Sequence, residues 1–406
     1  MVTGEAGSGT RVLERLERLY TIGSGDGANR PGLSREEQEA CELTAGWMRD
    51  AGLDVRWDPG GNLLGALPGS RPELPEVWTG SHLDSVPRGG RFDGPLGVVA
   101  GLEATAALAR RGPFERTVCV VAFRDEEGSR FGMGCFGSRA LCGEVEEEEL
   151  ELRDREGRTR HAALRAMGLE LPLGGWLDRA PGVFLEAHVE QGPRLAEADA
   201  PLGLVGGIAG LARGSATFIG APGHAGTTPM AGRDDALCAA AAFVLAVRQA
   251  ASSIPGAVAT VGAIAVEAGA ANVIPGRAVA TVDARAPSSE TFDRLTDSVA
   301  AAAAHAGGGL ELRRKEPVSM APGPTGVLRR ELERLGLPAP ELASGAGHDA
   351  GILAAAGVDT AMLFVRSLAG GVSHSPEELT SEEDVVLCVS VLEAALARLA
   401  GAASPR

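Results

Sequence analysis

Lysine is almost missing from this chain. Of its 38 basic residues only Lys315 is not arginine. With glycine and alanine so abundant, we read that as coding bias without functional content. The six cysteines (Cys41, Cys119, Cys135, Cys142, Cys238 and Cys388) form no C-x-x-C pair. Cys41, Cys119 and Cys388 lie in apolar patterns, as buried free thiols do. No apolar run approaches the length that crosses a bilayer. The first ten residues carry neither a basic stretch nor an apolar one of the kind that directs export, so the reading is a cytoplasmic protein without a membrane partner. A net charge of −16 and a pI near 5.0 oppose a phosphate backbone, and no arginine stripe alternates with aromatics. Nucleic acid is therefore excluded as a partner. Internal repeats and long disordered segments are absent too.

What remains is a chain of 406 residues, 44% hydrophobic and 23% charged, enough for a large core and two domains. Leu13, Leu16, Leu19 and Tyr20 recur at helical spacing. Ser34 with Glu37 forms a capping-box pattern that opens a helix to Gly52. Short strands are expected at 54–57 and 62–67, then at 77–82. Pro95 begins a helix reaching Arg111, and 116–123 is the continuous apolar run of a strand covered on both faces. Strands alternating with helices make the class α/β. Residues 208–318 read as an inserted unit: a strand over 214–220, a helix near 234–250, strands near 257–266 and 277–285, a helix near 289–306 and a strand near 309–315. That β-α-β-β-α-β order is ferredoxin-like. The first domain, 1–207, resumes at 319–406 with helices near 325–335, 348–356 and 382–400.

Four polar clusters sit at strand ends, where α/β sheets place their sites. The first, 81–94, brings His82, Asp84 and Asp93 around Gly89, Gly90 and Gly94. His82 and Asp93 suit one metal ion, with Asp84 fixing an imidazole tautomer. A polar surface turn with a capping aspartate is the plain alternative. In the second, adjacent Glu126 and Glu127 suit one carboxylate binding metal and the other moving protons; a solvated charge run is the alternative. Glu144–Glu151, which leads no strand, reads as such a run. The third, 183–193, alternates Glu186, His188 and Glu190 along one strand face. The fourth holds His374 just after the apolar strand 360–365. His82, His188, His224, His348 and His374 all fall in glycine- or acid-rich strand ends, whereas His161 and His305 read as surface residues.

The segments SHLDSV (81–86), GGRFDG (89–94), DEEGSRF (125–131), EAHVEQGP (186–193), GHAGTTPM (223–230), NVIPGR (272–277), SGAGHDA (344–350) and GVSHSP (371–376) occur in this order. Together they resemble the metal-dependent amidase/hydantoinase/carbamoylase group of the M20 peptidase family. The group contains N-carbamoyl-L-amino-acid hydrolases, β-ureidopropionases and allantoate amidohydrolases. The resemblance implies an α/β/α catalytic domain with an inserted lid and dimerisation domain. It implies two divalent ions per subunit: one held by His82, Asp93 and His188, the other by Asp93, Glu127 and His374, with Asp93 bridging. Such ions lie about 3.5–4 Å apart and acidify a shared water. Mixed His/carboxylate ligation admits Zn²⁺, Mn²⁺, Co²⁺ or Ni²⁺. Glu126 is implied as general base.

Gln191, His224, Asn272, Arg285 and the Gly345-Ala346-Gly347 backbone are implied as contacts to a small carboxylated ureide or amide. Arg285 would grip the carboxylate, and His224 would serve the partner's site in a homodimer. No role is implied for His348 or Asp349. The expected activity is hydrolysis of N-carbamoyl or related N-acyl L-amino acids. The words at 207–210 and 364–367 are closer to the carbamoylase branch than to allantoate or ureidoglycolate hydrolases, which show proline at the position of Arg366. A dipeptidase or aminoacylase fits less well, because NVIPGR with Arg285 suits a small carboxylated ureide.

Overall fold

A computed structural model describes residues 6–401 other than 24, 171–180 and 268. The chain divides into two units. The first runs to Gly206 and resumes over Met320–Leu342 and from Gly347; the second comprises Gly207–Ser319 with Ala343–Ala346.

In the first unit the sheet runs in the order Asp54–Trp57, Leu63–Leu67, Val118–Phe123, Val77–His82, Val183–Val189, Asp359–Val365, Leu202–Ile208. Val77–His82 pairs in parallel with both Val118–Phe123 and Val183–Val189, and Asp359–Val365 continues that parallel set. The central strands are buried along their whole length, which is why Val118–Phe123 (VCVVAF) shows no polar alternation. Helix Pro95–Ala109 lies against them and buries nearly every side chain. Its Gly97 is obligatory by space, since a Cβ there would fall 2.2 Å from the Ala187 carbonyl oxygen. Helices Ala6–Tyr20, Pro322–Arg334 and Glu382–Ala400 complete the core with Leu16, Leu19, Leu328, Leu332, Leu392 and Leu396. Each such leucine contributes about 1.5–3 kcal/mol by leaving water.

The second unit has a four-strand order of Ile264–Val266, Arg277–Ala286, Gly210–Ile219, Gly309–Lys315, all antiparallel. Helices Ala236–Ser252 and Ser289–His305 cover one face through Phe243, Val247, Phe292, Leu295 and Val299. The single strand expected near 257–266 is two short ones, Val258–Thr260 and Ile264–Val266, both on Arg277–Ala286. Between them the Ala263 N–H turns to Thr281 Oγ1. No helix among the described residues is long and apolar enough to cross a membrane.

Two local expectations need correction. Ser34 does cap helix Arg35–Asp50 through the Glu37 N–H. The Glu37 carboxylate, however, does not return to Ser34: it accepts from the N–H groups of Leu33 and Asp125 and pairs with buried Arg124. The acidic stretch Glu144–Glu151 is not wholly solvated. Glu149 is buried between Arg139 and Arg160: it supplies the counter-charge of Arg139 and shares Arg160 with Asp125.

Candidate metal centre and hydrolytic site

The polar clusters converge in the first unit at the C-terminal ends of the parallel strands. His82 is the last residue of its strand, Glu126 and Glu127 follow Val118–Phe123, and His188 lies within Val183–Val189. His374 follows Asp359–Val365 on a loop where its own φ is +55°, a left-handed value uncommon for a side-chain-bearing residue. Gly94 has φ +82°, and a Cβ there would stand 2.4 Å from the His82 ring, so only glycine lets the turn close over that imidazole.

Asp93 is the centre of the arrangement. Its Oδ1 faces His82 Nε2 at 3.7 Å and His188 Nε2 at 3.2 Å, while Oδ2 faces His374 Nε2 at 3.3 Å. His374 Nε2 is also 3.4 Å from Glu127 Oε2. His82, Asp93 and His188 thus form one group of potential ligands and Asp93, Glu127 and His374 another. Bonds of about 2.0–2.2 Å in tetrahedral geometry set neighbouring ligand atoms roughly 3.4 Å apart. The observed spacings bracket that value, so the residues fit one ion in each group.

Two of the imidazoles have Nδ1 engaged, which leaves Nε2 as the atom facing the ligand groups. His188 Nδ1 meets the Val189 carbonyl at 2.9 Å, leaving Nε2 towards Asp93. His82 Nδ1 lies 3.2 Å from Asp84 Oδ1. Asp84 does more than orient a ring: its two oxygens accept the N–H groups of Glu126 at 3.0 Å and Glu127 at 3.1 Å. One carboxylate therefore ties the first cluster to the second. Glu126 Oε2 stands 3.8 Å from His82 Nε2, and its Oε1 accepts from the Cys135 thiol at 3.5 Å. The preceding Asp125 is left-handed at φ +49°, a strain that costs on the order of 1–3 kcal/mol and aims the Glu pair.

Electrostatics follow from burial. Burial pushes Glu126 well above the ordinary carboxylate range, the charge of His82 opposes this, and Asp349 and Glu127 add to it. Burial, then Asp93, raises Glu127 to about 7. Asp93 runs the other way. Burial would raise it, but hydrogen bonds from His188 and His374 hold it well below the usual range. The hydrogen bond to Asp93 lifts His374 to about 9.

Other residues fall in more varied places. Gln191 reaches the centre, its Nε2 donating to Asp93 Oδ2 at 2.9 Å and to Ser373 Oγ at 3.2 Å. Glu186 keeps to the His188 face but accepts from Ser81 Oγ at 2.7 Å and from the Ala350 N–H at 2.8 Å. Glu190 leaves the shared face and caps the turn Arg194–Glu197. His348 gains a physical role, its ring packing edge-on against His188 at 4.6 Å between centroids. Glu186, His188 and His348 also form a ligand-like group, yet both nitrogens of His188 are already committed. Asp349 accepts from Ser138 Oγ at 2.5 Å, and burial raises it to about 8.

His224, Asn272, Arg285, Gly345 and Ala346 belong to the second unit, and Gly347 to the first. His224 is exposed on the ribbon Gly223–His224, its Nδ1 accepting from the Gly226 N–H; Asn272 is exposed beside the facing strand Val273–Ile274. Arg285 is half-buried. It grips Asp283 through Nε at 2.9 Å and Nη2 at 3.2 Å and donates from Nη1 to the Gly345 carbonyl at 2.7 Å. Arg366, which pointed to the carbamoylase branch, pairs with Asp384 and Asp199 and so has a structural occupation. Glu378 went unnoticed in the sequence because nothing in Pro-Glu-Glu-Leu distinguishes a buried carboxylate from a surface one.

The model of peptidase family M20/M25/M40 matches residues 78–398. The chain belongs to this family. An N-carbamoyl-L-amino acid amidohydrolase of Geobacillus stearothermophilus is 39% identical over 95% of this chain and 97% of its own. A probable allantoate deiminase of Oryza sativa subsp. japonica is 35% identical over 91% of this chain and 84% of its own. The crystal structure of an amidase of the hydantoinase/carbamoylase family from Burkholderia multivorans superposes with a TM-score of 0.85 at 34% identity, over 97% of this chain and 98% of that one. As an M20 enzyme the chain is a metal-dependent hydrolase, and the groups described above are candidate metal-binding residues.

Proposed function

We propose that the chain hydrolyses N-carbamoyl or closely related N-acyl L-amino acids, with two divalent ions per subunit. The observation that carries the metal part is Asp93 presenting one oxygen to each ligand group. The substrate class is supported by the carbamoyl amidohydrolase relative. Zn²⁺, Mn²⁺, Co²⁺ and Ni²⁺ all suit this donor set. When bound, such ions supply Lewis acidity and make a water more acidic than bulk.

The chain's own residues handle the proton and the substrate. Glu126, raised by burial, takes the proton of the attacking water at its carboxylate and returns it to the amino-acid nitrogen as the C–N bond breaks. One water is consumed; amino acid, CO2 and NH3 leave. Asp84 holds Glu126 by its backbone, and Gln191 stands where it can meet the substrate beside Asp93. Arg285, with the Gly345-Ala346-Gly347 backbone and Asn272, would receive the substrate carboxylate, and His224 the developing oxyanion. We read the assembly as a homodimer through the second unit. Support comes from Ile219, Met230, Leu245 and Val258, at 60–77% exposure. A monomer in solution would overturn that reading. None of the six cysteines forms a disulfide, which supports a reducing, cytoplasmic setting.

Hydrolysis of allantoate or ureidoglycolate is the second reading, favoured by the deiminase relative at 35% identity against 39%. A panel of N-carbamoyl-L-amino acids, allantoate, ureidoglycolate and dipeptides decides between them. Preference in kcat/KM for a carbamoyl amino acid is expected; preference for allantoate would transfer the assignment.

A further inference from the structure

Glu378 is buried, lies four residues beyond His374, and is a member of neither ligand group. Its Oε2 accepts the N–H of Phe92 at 2.6 Å and of Asp93 at 3.1 Å. Its Oε1 accepts from Ser373 Oγ at 3.0 Å. One carboxylate thus spans two loops from distant parts of the sequence, and each loop carries a ligand: Asp93 on the first, His374 on the second. Ser373 Oγ also lies 3.1 Å from Asp93 Oδ2, so the hydroxyl sits between the two carboxylates. An independent observation concerns Gly90. Its φ is not positive, yet a Cβ built there would fall 2.2 Å from Glu378 Oε2. Glycine is needed at this point of GGRFDG for the room it leaves the carboxylate, and no backbone conformation requires it.

We infer that Glu378 is a positioning residue for the metal centre: it fixes the Asp93 and His374 loops relative to each other so that the shared aspartate meets both ligand groups. This rests on the metal-dependent reading above. The physical reason is that Asp93 must present its two oxygens in opposite directions at once. A backbone free to rotate at Phe92–Asp93 would lose one set of contacts whenever it improved the other. Two N–H donors ending on one rigid acceptor remove that freedom. Removal of such supporting partners costs roughly 10–100-fold in metal affinity in other metal sites.

The test uses the full chain, stripped of metal and titrated with Zn²⁺ against a chromophoric chelator, alongside the melting temperature of the metal-free form. Glu378→Ala is expected to weaken Zn²⁺ binding about 10–100-fold. Glu378→Gln keeps an oxygen for the two N–H groups and should stay close to wild type. Should Glu378→Ala fail to fold, Gly90→Ala serves instead, since it displaces the carboxylate while leaving its charge, and the same weakening is expected. A variant that melts lower but binds Zn²⁺ like wild type, for Glu378→Ala or Gly90→Ala, would overturn the inference and leave Glu378 a structural residue. Weakening as great in Glu378→Gln as in Glu378→Ala would also overturn it, because charge rather than placement would then matter. If wild type itself bound no Zn²⁺, the metal reading would have failed, an outcome distinct from all of these.

Discussion

The two units hold their site residues in opposite ways. In the first, His82, Asp93 and His188 are buried, Glu127 is half-buried and only His374 is exposed, and further partners fix the His82 and His188 rings, the Asp93 backbone and the Glu pair: Asp84, Val189 and Glu378. In the second, His224 and Asn272 are exposed, and Arg285 already shares its guanidinium between Asp283 and Gly345. A metal centre must be assembled before it has any affinity, so its geometry is over-determined by the fold. Groups that meet a substrate need only be presentable when it arrives. The difference predicts that substitutions at the ligand groups act on metal content and kcat, and those at the second unit's Asn272 and Arg285 on KM.

The largest expected effect separates chemistry from assembly within the first unit. Glu126→Gln should retain metal and substrate binding while kcat falls roughly 10²–10⁴-fold, about 3–5 kcal/mol of barrier. His82→Ala, Asp93→Ala, His188→Ala or His374→Ala should instead lose metal, read by elemental analysis of the purified protein. Normal turnover by Glu126→Gln would place the base elsewhere.

Arg285→Lys carries the comparison into the second unit. A point ammonium cannot reproduce the planar fork, so KM for the best carboxylated substrate should rise about tenfold or more with metal content unchanged. An unchanged KM would leave Arg285 as the partner of Asp283 and nothing more.

A smaller effect comes from protons. In the metal-free protein His374 titrates at about 9 and Glu127 at about 7, both raised. The sign follows directly: an ion requires the neutral imidazole and the charged carboxylate, so each proton competes with it, and affinity should rise with pH across roughly 6.5 to 9. The imidazolium's own contribution to the metal-free fold has the opposite course. It is fully present below the unfolded value near 6.5 and is lost as pH rises through about 9. Zn²⁺ titrations at several pH values, with proton release measured in buffers of different ionisation enthalpy, check this; a flat profile would contradict it.

Much of this was legible in the sequence because the determinants were local. Apolar runs such as 118–123 announce covered strands, and glycine turns with His and Asp announce a site at a strand end. What was hidden depends on pairs far apart in the chain. Glu378 reaches residues nearly three hundred positions away, and Glu37 leaves its own helix cap for Arg124 and Asp125. Glu149 looked solvated until Arg139 and Arg160 were placed around it. Residue types at the strand ends offered His82, Asp93, His188 and one of the Glu126–Glu127 pair as candidates, with a surface turn as an equal reading of the first cluster alone; the division into two ligand sets came from resemblance. Arg366 shows the reverse: a residue that helped choose a branch of the family is engaged in an ion pair with Asp384.

The central claim is that the clustered His and carboxylate side chains of the first unit hold the ions on which hydrolysis depends. Its most direct test is turnover of an N-carbamoyl-L-amino acid by protein stripped of metal, verified metal-free, then titrated with Zn²⁺ or Mn²⁺. Activity is expected to vanish on stripping and to return in proportion to ion added, saturating near two per chain. Full activity in the metal-free protein would contradict the account.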